Sequence, residues 1–355
     1  MSEVRDQWDD IERIVALGDL HGDYERYVEA LFSAGLVDSE HNWIGGETHF
    51  VQIGDIPDRG PDSTRIIRHL QSLERQALRA GGRVHALIGN HEAMNMSGEL
   101  RYVHPGEFEA LRSPQAEQLR DTYYSVISKK IRAKPAPSLH NYVSRRECVG
   151  KVEIPLGYVE YREHWAPGGE FGEWVAGHNT VVRLNNLLFV HGGLSLKYAD
   201  WTIREINERV KAELRNIDSF ADPITQDYLG PLWYRGLSQD EEAAAPAFVA
   251  ALLESHDVDH IVVGHTPCCE TIVPRYDGKV LVIDSGISSF YDGALTLLIV
   301  ERGELFNLQS GKRFAIPADD CELLDYYRAI FALEPDSVSL RESISRLEMK
   351  EMEWG

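Results

Sequence analysis

Long apolar runs are missing from this chain. No uninterrupted stretch exceeds the seven residues 247–253, against the roughly 20 needed to span a bilayer. The charged opening Met-Ser-Glu-Val-Arg-Asp also lacks the apolar segment of a secretory signal. Thiols are scarce: Cys148, Cys268, Cys269 and Cys321 are the only four, and none has the CxxC spacing of a zinc knuckle. A cytoplasmic, reducing setting is therefore expected. Basic runs and basic-aromatic stripes are absent too. Lys and Arg number 36 against 57 Asp and Glu, a net charge of −21, which repels a nucleic-acid backbone. Neither a nucleic acid nor a membrane is an expected partner. Apolar residues at 43% and charged residues at 26% of 355 give the composition of a globular protein of one large domain or two ordinary ones.

What the chain does have is one pattern used six times, a short β-like apolar run followed by a compact polar motif. Ile14–Leu17 leads into GDLHG (18–22), Phe50–Ile53 into GDIPDRG (54–60), and Val84–Ile88 into GNHE (89–92). Leu187–Val190 leads into HGG (191–193), Ile261–Val263 into GHTP (264–267), and Val280–Ile283 into DSG (284–286). Such runs predict buried strands bounded by turns. In open α/β sheets ligands gather at the carboxyl ends of strands, where all six motifs fall.

Helical periodicity fills the gaps. Ile66, Ile67, Leu70, Leu73 and Ala77 recur at three- and four-residue steps after Pro61-Asp62-Ser63, and Gly81-Gly82 stops them. Tyr27, Leu31 and Phe32 are expected on one face of a helix closed by Gly35. Strands alternating with helices predict an α/β layered domain, with one more strand over 294–300. Residues 93–186 form a long insert between the third and fourth motifs. It carries a helical part over roughly 106–132, then Lys134-Pro135-Ala136-Pro137, and reads as a cap over the site. From Pro317 the chain is acidic, with two helical patterns separated by 334–336. The expected division is a catalytic domain over 1–316 and a helical C-terminal extension over 317–355.

The donors at the strand ends are Asp19, His21, Asp55, Asn90, His191 and His265. Oxygen and imidazole without thiolate suit manganese first, with iron or zinc as alternatives, better than calcium. Six ligands with one carboxylate shared match the needs of two adjacent divalent ions, which can hold both ends of an in-line phosphoryl displacement.

These motifs resemble the metal-dependent phosphoprotein phosphatases of the calcineurin-like metallophosphoesterase superfamily. GDLHG, GDIPDRG, GNHE, HGG and GH carry the likeness from residue 18 to about 286. The long insert, the 165–174 stretch, PLWYRG (231–236) and GHTP are similar to the Shewanella-like bacterial branch. The resemblance implies an αββα sandwich acting on phosphorylated Ser, Thr or Tyr in proteins through a metal-bridging hydroxide. Asp19 and His21 are then implied to bind one metal, Asp55 to bridge, and Asn90, His191 and His265 to hold the second. His91 would protonate the leaving oxygen, partnered by Asp58, and Arg59 would clamp the phosphate. Arg235 is a candidate second phosphate arginine, and Asn90 and Tyr291 are candidate substrate contacts. Two divalent cations and these arginines predict a cationic well in an acidic chain.

Three rivals are weaker. Symmetrical dinucleoside-polyphosphate hydrolases of the same superfamily tend towards GNHD, where this chain has GNHE. A non-catalytic metal-dependent scaffold would have little reason to retain His91, Asp58 and Arg59 together. Cys269 lies six positions before Arg275, as in thiol-based phosphatases, but the intervening 270–274 segment lacks glycine and reads as a strand.

Overall fold

Twelve short strands, most of them apolar, build two sheets in a computed structural model that describes residues 5–133, 154–217, 219–239 and 244–354. In chain order they are β1 (Gln7–Trp8), β2 (Arg13–Leu17), β3 (His49–Gln52), β4 (Arg83–Ala86), β5 (Val181–Leu184) and β6 (Leu187–Val190). They continue as β7 (His260–Val263), β8 (Val273–Arg275), β9 (Val280–Val282), β10 (Thr296–Glu301), β11 (Glu304–Gln309) and β12 (Lys312–Ala315). One sheet runs β12-β11-β10-β2-β3-β4 and the other β1-β5-β6-β7-β9-β8. Within them β2, β3 and β4 are mutually parallel, as are β6, β7 and β9. These six are the strands expected from the apolar runs, and their carboxyl ends carry the six motifs.

Side-chain alternation explains why the sheets stack. Ile14 and Ala16 of β2, Val51 of β3, Phe189 of β6 and Val262 of β7 point into a core shared between the two sheets. Their neighbours Val15, Leu17 and Phe50 pack outward against the helices Tyr24–Ser33 and Ser63–Arg79. On the far side Leu188, Val190, Ile261 and Val263 meet the helices Ile203–Arg215 and Pro246–His256. Helix, sheet, sheet, helix is the four-layer order that the resemblance implies.

Three expectations need adjustment. Tyr27 and Leu31 are buried, but Phe32 is 59% exposed, because one residue turns a helix about 100° away from its buried stripe. The helical part at 106–132 is two helices, Pro105–Ala110 and Ala116–Ala133. Between them Ser113 donates from N and Oγ to Glu160 at 3.1 and 2.6 Å, and Pro114 has no amide proton with which to continue a helix. Lys134–Pro137 and Cys148 lie outside the described residues. Beyond that gap the insert contributes the helices Tyr158–Trp165 and Glu170–Gly177, whose Tyr161, Trp165 and Phe171 join the core beside Phe108 and Met96.

The C-terminal residues form the helices Leu323–Phe331 and Val338–Trp354. Tyr326, Tyr327, Ile330 and Leu340 enclose Cys269 there, and burial pushes its thiol above the ordinary range. A protonated, enclosed thiol is a poor nucleophile. Among the described residues no helix is long and apolar enough to cross a membrane.

Candidate metal centre

Each motif begins where a strand ends, so the six loops converge on one point. Asp19, His21, Asp55, Asn90, His191 and His265 are all buried. Asp55 is the hub. Its backbone carbonyl accepts from Leu20 N and His21 N at 3.0 Å each, which pins the GDLHG loop to it. Its Oδ1 accepts from His91 N at 2.9 Å and lies 3.3 Å from His191 Nε2. Its Oδ2 lies 4.0 Å from His21 Nε2 and 3.8 Å from His91 Nε2.

The imidazoles are oriented for ligation. His191 Nδ1 is 3.0 Å from the Ile53 carbonyl, and His21 Nδ1 is 3.2 Å from the Pro57 carbonyl. A carbonyl only accepts, so both Nδ1 atoms carry a proton, and in a neutral ring Nε2 is then the nitrogen with a lone pair for the site. His265 Nε2 is buried with no hydrogen-bond partner among the described residues. Two groups of ligand atoms within 4.8 Å of one another result: His21, Asp55 and His91, and Asp55, His191 and His265. Asp55 belongs to both. Asn90 Oδ1 joins the second group, 3.0 Å from His191 Nε2. Asp19 accepts from His265 N at 3.1 and 3.2 Å, so its carboxylate braces the second group while sitting on the loop of the first.

Close approach leaves no room for side chains in between. A Cβ on Gly89 would lie 2.3 Å from Asp55 Oδ1, and one on Gly264 would lie 2.5 Å from Asp19 Oδ1. The backbone is also strained where the donors stand. His21, Asp55, Asp58, Arg59 and His265 have φ of 45°, 55°, 76°, 68° and 66°, a region costing non-glycine residues about 1–3 kcal/mol each.

Burial favours the neutral form of two of the imidazoles. Burial drives His21 down to about 3; burial, then His191 and Arg235, holds His265 well below its ordinary range. Neutral imidazole is the form that ligates. Burial raises Asp19 well above its usual value and lifts Asp284 to about 6 and Glu92 to about 7, with neighbouring carboxylates adding to each. Asp55 behaves differently: burial favours its neutral form, yet His191 and His91 together pull it well below the usual range. His91 is the one imidazole pushed upward, because Asp55 and Asp58 outweigh the effect of burial. With oriented lone pairs, an orphaned Nε2 and a shared carboxylate, these residues fit two divalent cations.

Around this cluster stand the groups suited to a phosphate ester. His91 Nδ1 is 2.5 Å from Asp58 Oδ2, which leaves His91 Nε2 facing Asp55. The Arg59 guanidinium lies 4.5 Å from the Tyr102 ring, 4.8 Å from Phe290 and 5.5 Å from Tyr291, and its Nε has no partner among the described residues. Tyr291 also sits 5.5 Å from the His21 ring. Arg235 Nη1 donates to the His265 carbonyl and Thr266 Oγ1 at 2.9 Å each, placing that arginine against the second ligand group.

Two further acidic residues, Glu92 and Asp284, stand in the site without a role implied by the motifs. The Glu92 carboxylate accepts from Gly89 N, Asp55 N and Ile56 N at 2.8, 3.0 and 2.8 Å. It locks the GNHE turn to the GDIPDRG turn, and its position three residues after Gly89 was the available capping-box signal. Asp284 is buried beside Asp19 and accepts from Gly286 N at 3.0 Å. Both carry potential negative charge, so the expected cationic well is less positive than the predicted residues alone imply.

A model of the calcineurin-like phosphoesterase family matches residues 12–269. Shewanella-like protein phosphatase 2 of Arabidopsis thaliana is 30% identical over 307 residues, covering 82% of this chain and 75% of the relative. Shewanella-like protein phosphatase 1 of Plasmodium berghei is 28% identical over 304 residues, covering 81% and 72%. Among solved structures, the cold-active protein-tyrosine phosphatase of a psychrophilic Shewanella species superposes with a TM-score of 0.67 at 28% identity. That match covers 88% of this chain and 82% of the other.

Proposed function

The chain belongs to the calcineurin-like phosphoesterase family and to its Shewanella-like protein phosphatase branch, and we propose that it removes phosphate from phosphorylated Ser, Thr or Tyr side chains of proteins with two divalent cations bound. The observation that carries this reading is the His91–Asp58 pair and the Arg59 guanidinium standing beside a carboxylate shared by two ligand groups. Asp19 and His21 would hold one cation, Asn90, His191 and His265 the other, and Asp55 would serve both. Manganese is the proposed ion, with iron and zinc as alternatives. When bound, such ions supply Lewis-acid charge to the phosphoryl group and acidify water.

The rest follows from side chains. Arg59 presents a planar fork that pairs with two phosphate oxygens at once, and Arg235, bonded to the His265 carbonyl, is the second proposed phosphate arginine. His91 spends Nδ1 on Asp58, so Nε2–H is the proton available to the departing alkoxide or phenoxide. Asp55 and Asp58 favour the charged imidazole that this role needs. The enclosed Cys269 takes no part. Displacement is direct, without a covalent phosphoenzyme. The scarcity of cysteine, four in 355 residues with no CxxC spacing, supports a reducing, cytoplasmic setting, which fractionation of cells carrying a tagged chain checks.

The test is a panel of phosphoserine, phosphothreonine and phosphotyrosine peptides with one dinucleoside tetraphosphate, run on metal-stripped protein refilled with manganese, iron or zinc. Turnover of at least one phosphopeptide, dependent on added metal, is the expected result. Turnover of the tetraphosphate alone overturns the assignment.

A further inference from the structure

Asp58 has a second oxygen, and what holds it has no counterpart among the motif residues. Asn95, one helical turn beyond His91 in the helix Asn90–Ser97, donates from Nδ2 to Asp58 Oδ1 at 3.0 Å and to the His91 carbonyl at 2.9 Å. Asn95 Oδ1 in turn accepts from the Tyr161 hydroxyl at 2.7 Å. Tyr161 belongs to the insert helix Tyr158–Trp165, and its neighbour Arg162 donates to the Asn95 carbonyl at 3.0 Å. Asp58, Asn95 and Tyr161 are each 0% exposed.

We propose that Asn95 and Tyr161 are positioning residues for the proton donor: the insert's tyrosine sets the asparagine amide, which sets the Asp58 carboxylate, which aims His91. The inference rests on the phosphatase reading above. A phenol has a single proton, and here it goes to Asn95 Oδ1. Together with the two acceptors on the other side, Asp58 Oδ1 and the His91 carbonyl, this holds Nδ2 towards Asp58. With the amide reversed, Oδ1 would confront Asp58 Oδ1 and the His91 carbonyl, three oxygens without a proton between them. The observed orientation therefore occupies Asp58 Oδ1 and reserves Oδ2 for His91 Nδ1. Remove the Tyr161 hydroxyl and one lock on the amide is gone, while every ligand of the metal centre keeps its own contacts.

The experiment compares Tyr161→Phe with wild type on a phosphoserine peptide and on p-nitrophenyl phosphate. Serine alkoxide is a basic leaving group that needs the proton; p-nitrophenolate leaves without one. We expect kcat on the phosphopeptide to fall about tenfold, part of the ~10²–10⁴ that a general acid supplies. KM and bound metal should be unchanged, and kcat on p-nitrophenyl phosphate should fall less than twofold. In a His91→Asn background the same substitution should cost nothing further, since the two act through one step. A spectroscopic readout is independent of turnover: the downfield proton resonance of His91 Nδ1 should shift in Tyr161→Phe. Asn95→Ser repeats each measurement should the tyrosine variant not fold. Equal losses on both substrates, a full additional loss in the His91→Asn background, or an unmoved proton resonance overturns the positioning role. A wild-type protein silent on both esters overturns the phosphatase reading instead, and the resonance still decides the contact.

Discussion

Gly89 is where the smallest covalent change should do the most harm. Its φ and ψ are −98° and −178°, extended values that alanine adopts freely. Gly89→Ala therefore adds no backbone strain, only one methyl group. That methyl would lie 2.3 Å from Asp55 Oδ1, 2.5 Å from Asp55 N and 2.9 Å from Glu92 Oε2. An ordinary carbon–oxygen contact is about 3.3 Å, so the shared carboxylate must retreat by about 1 Å, a misplacement that can cost about 100-fold in rate. The retreat also stretches the 2.9 Å bond from His91 N. We expect kcat on p-nitrophenyl phosphate to fall about 100-fold, and calorimetric titration with manganese to show weakened binding. Gly177→Ala is the control. It closes the helix Glu170–Gly177 with nothing within 4 Å of the added carbon, and should keep full activity with a melting temperature equal or slightly higher. Normal turnover and two tightly bound cations in Gly89→Ala would refute the argument that Asp55 is the pivot.

Asp55→Asn should reduce metal content to one ion or none, read by elemental analysis, with loss of nearly all turnover, because a neutral amide bridges two cations poorly. Replacing one ring of the Arg59 enclosure, by Tyr102→Leu or Phe290→Leu, removes a cation–π contact of about 0.5–1 kcal/mol. Steady-state kinetics should show KM rising roughly two- to fivefold, whereas Tyr102→Phe keeps the ring and should behave as wild type. Glu107 lies outside the metal centre, accepting from Ser63 N and Thr64 Oγ1, and burial lifts its carboxyl from 4.5 to about 7. A raised folded-state value means that its stability contribution is complete below pH 4.5 and is lost as pH rises through about 7. Melting temperatures from pH 5 to 8 should therefore fall more steeply for wild type than for Glu107→Gln, which keeps an acceptor for Ser63 and a donor for Thr64.

The strands and the convergence of polar residues at their ends were legible because their chemistry restricts residue type. A buried parallel strand reads as a near-continuous apolar run, and carboxylates, imidazoles and amides are common oxygen and nitrogen side-chain ligands of divalent ions. Ile14–Leu17 before Asp19 and His21 carries both signals within eight residues. Asn95 and Tyr161 carried no such signal, since an asparagine in a helix and a tyrosine 66 positions later read as ordinary polar and core residues. Only the packing of the insert helix on Asn90–Ser97 brings them together. The rings around Arg59 were hidden for the same reason: Tyr102 and Phe290 come from segments far apart in sequence. Phe32 shows the opposite failure, an apolar residue beside a clear periodic stripe but off the buried face.

The chain's charge of −21 sits uneasily with a doubly charged anionic substrate until the charges are placed. Asp19, Asp55, Glu92 and Asp284 are all 1–3% exposed, gathered at the ligand cluster, where bound cations would neutralise them. Arg59 stands outside that floor, framed by Phe290 at 56% and Tyr291 at 38% exposure. Rings on a guanidinium cover its faces and leave its N–H edge as the polar surface offered to a ligand. Surface acids elsewhere are screened within about 8–10 Å in physiological salt, so an approaching phosphate meets the arginine edge before it meets any of the buried carboxylates. On the proposed reading, recognition of the anion and capture of the cations would occupy different depths of one site, with His91, paired to Asp58 through Nδ1, at the boundary between them.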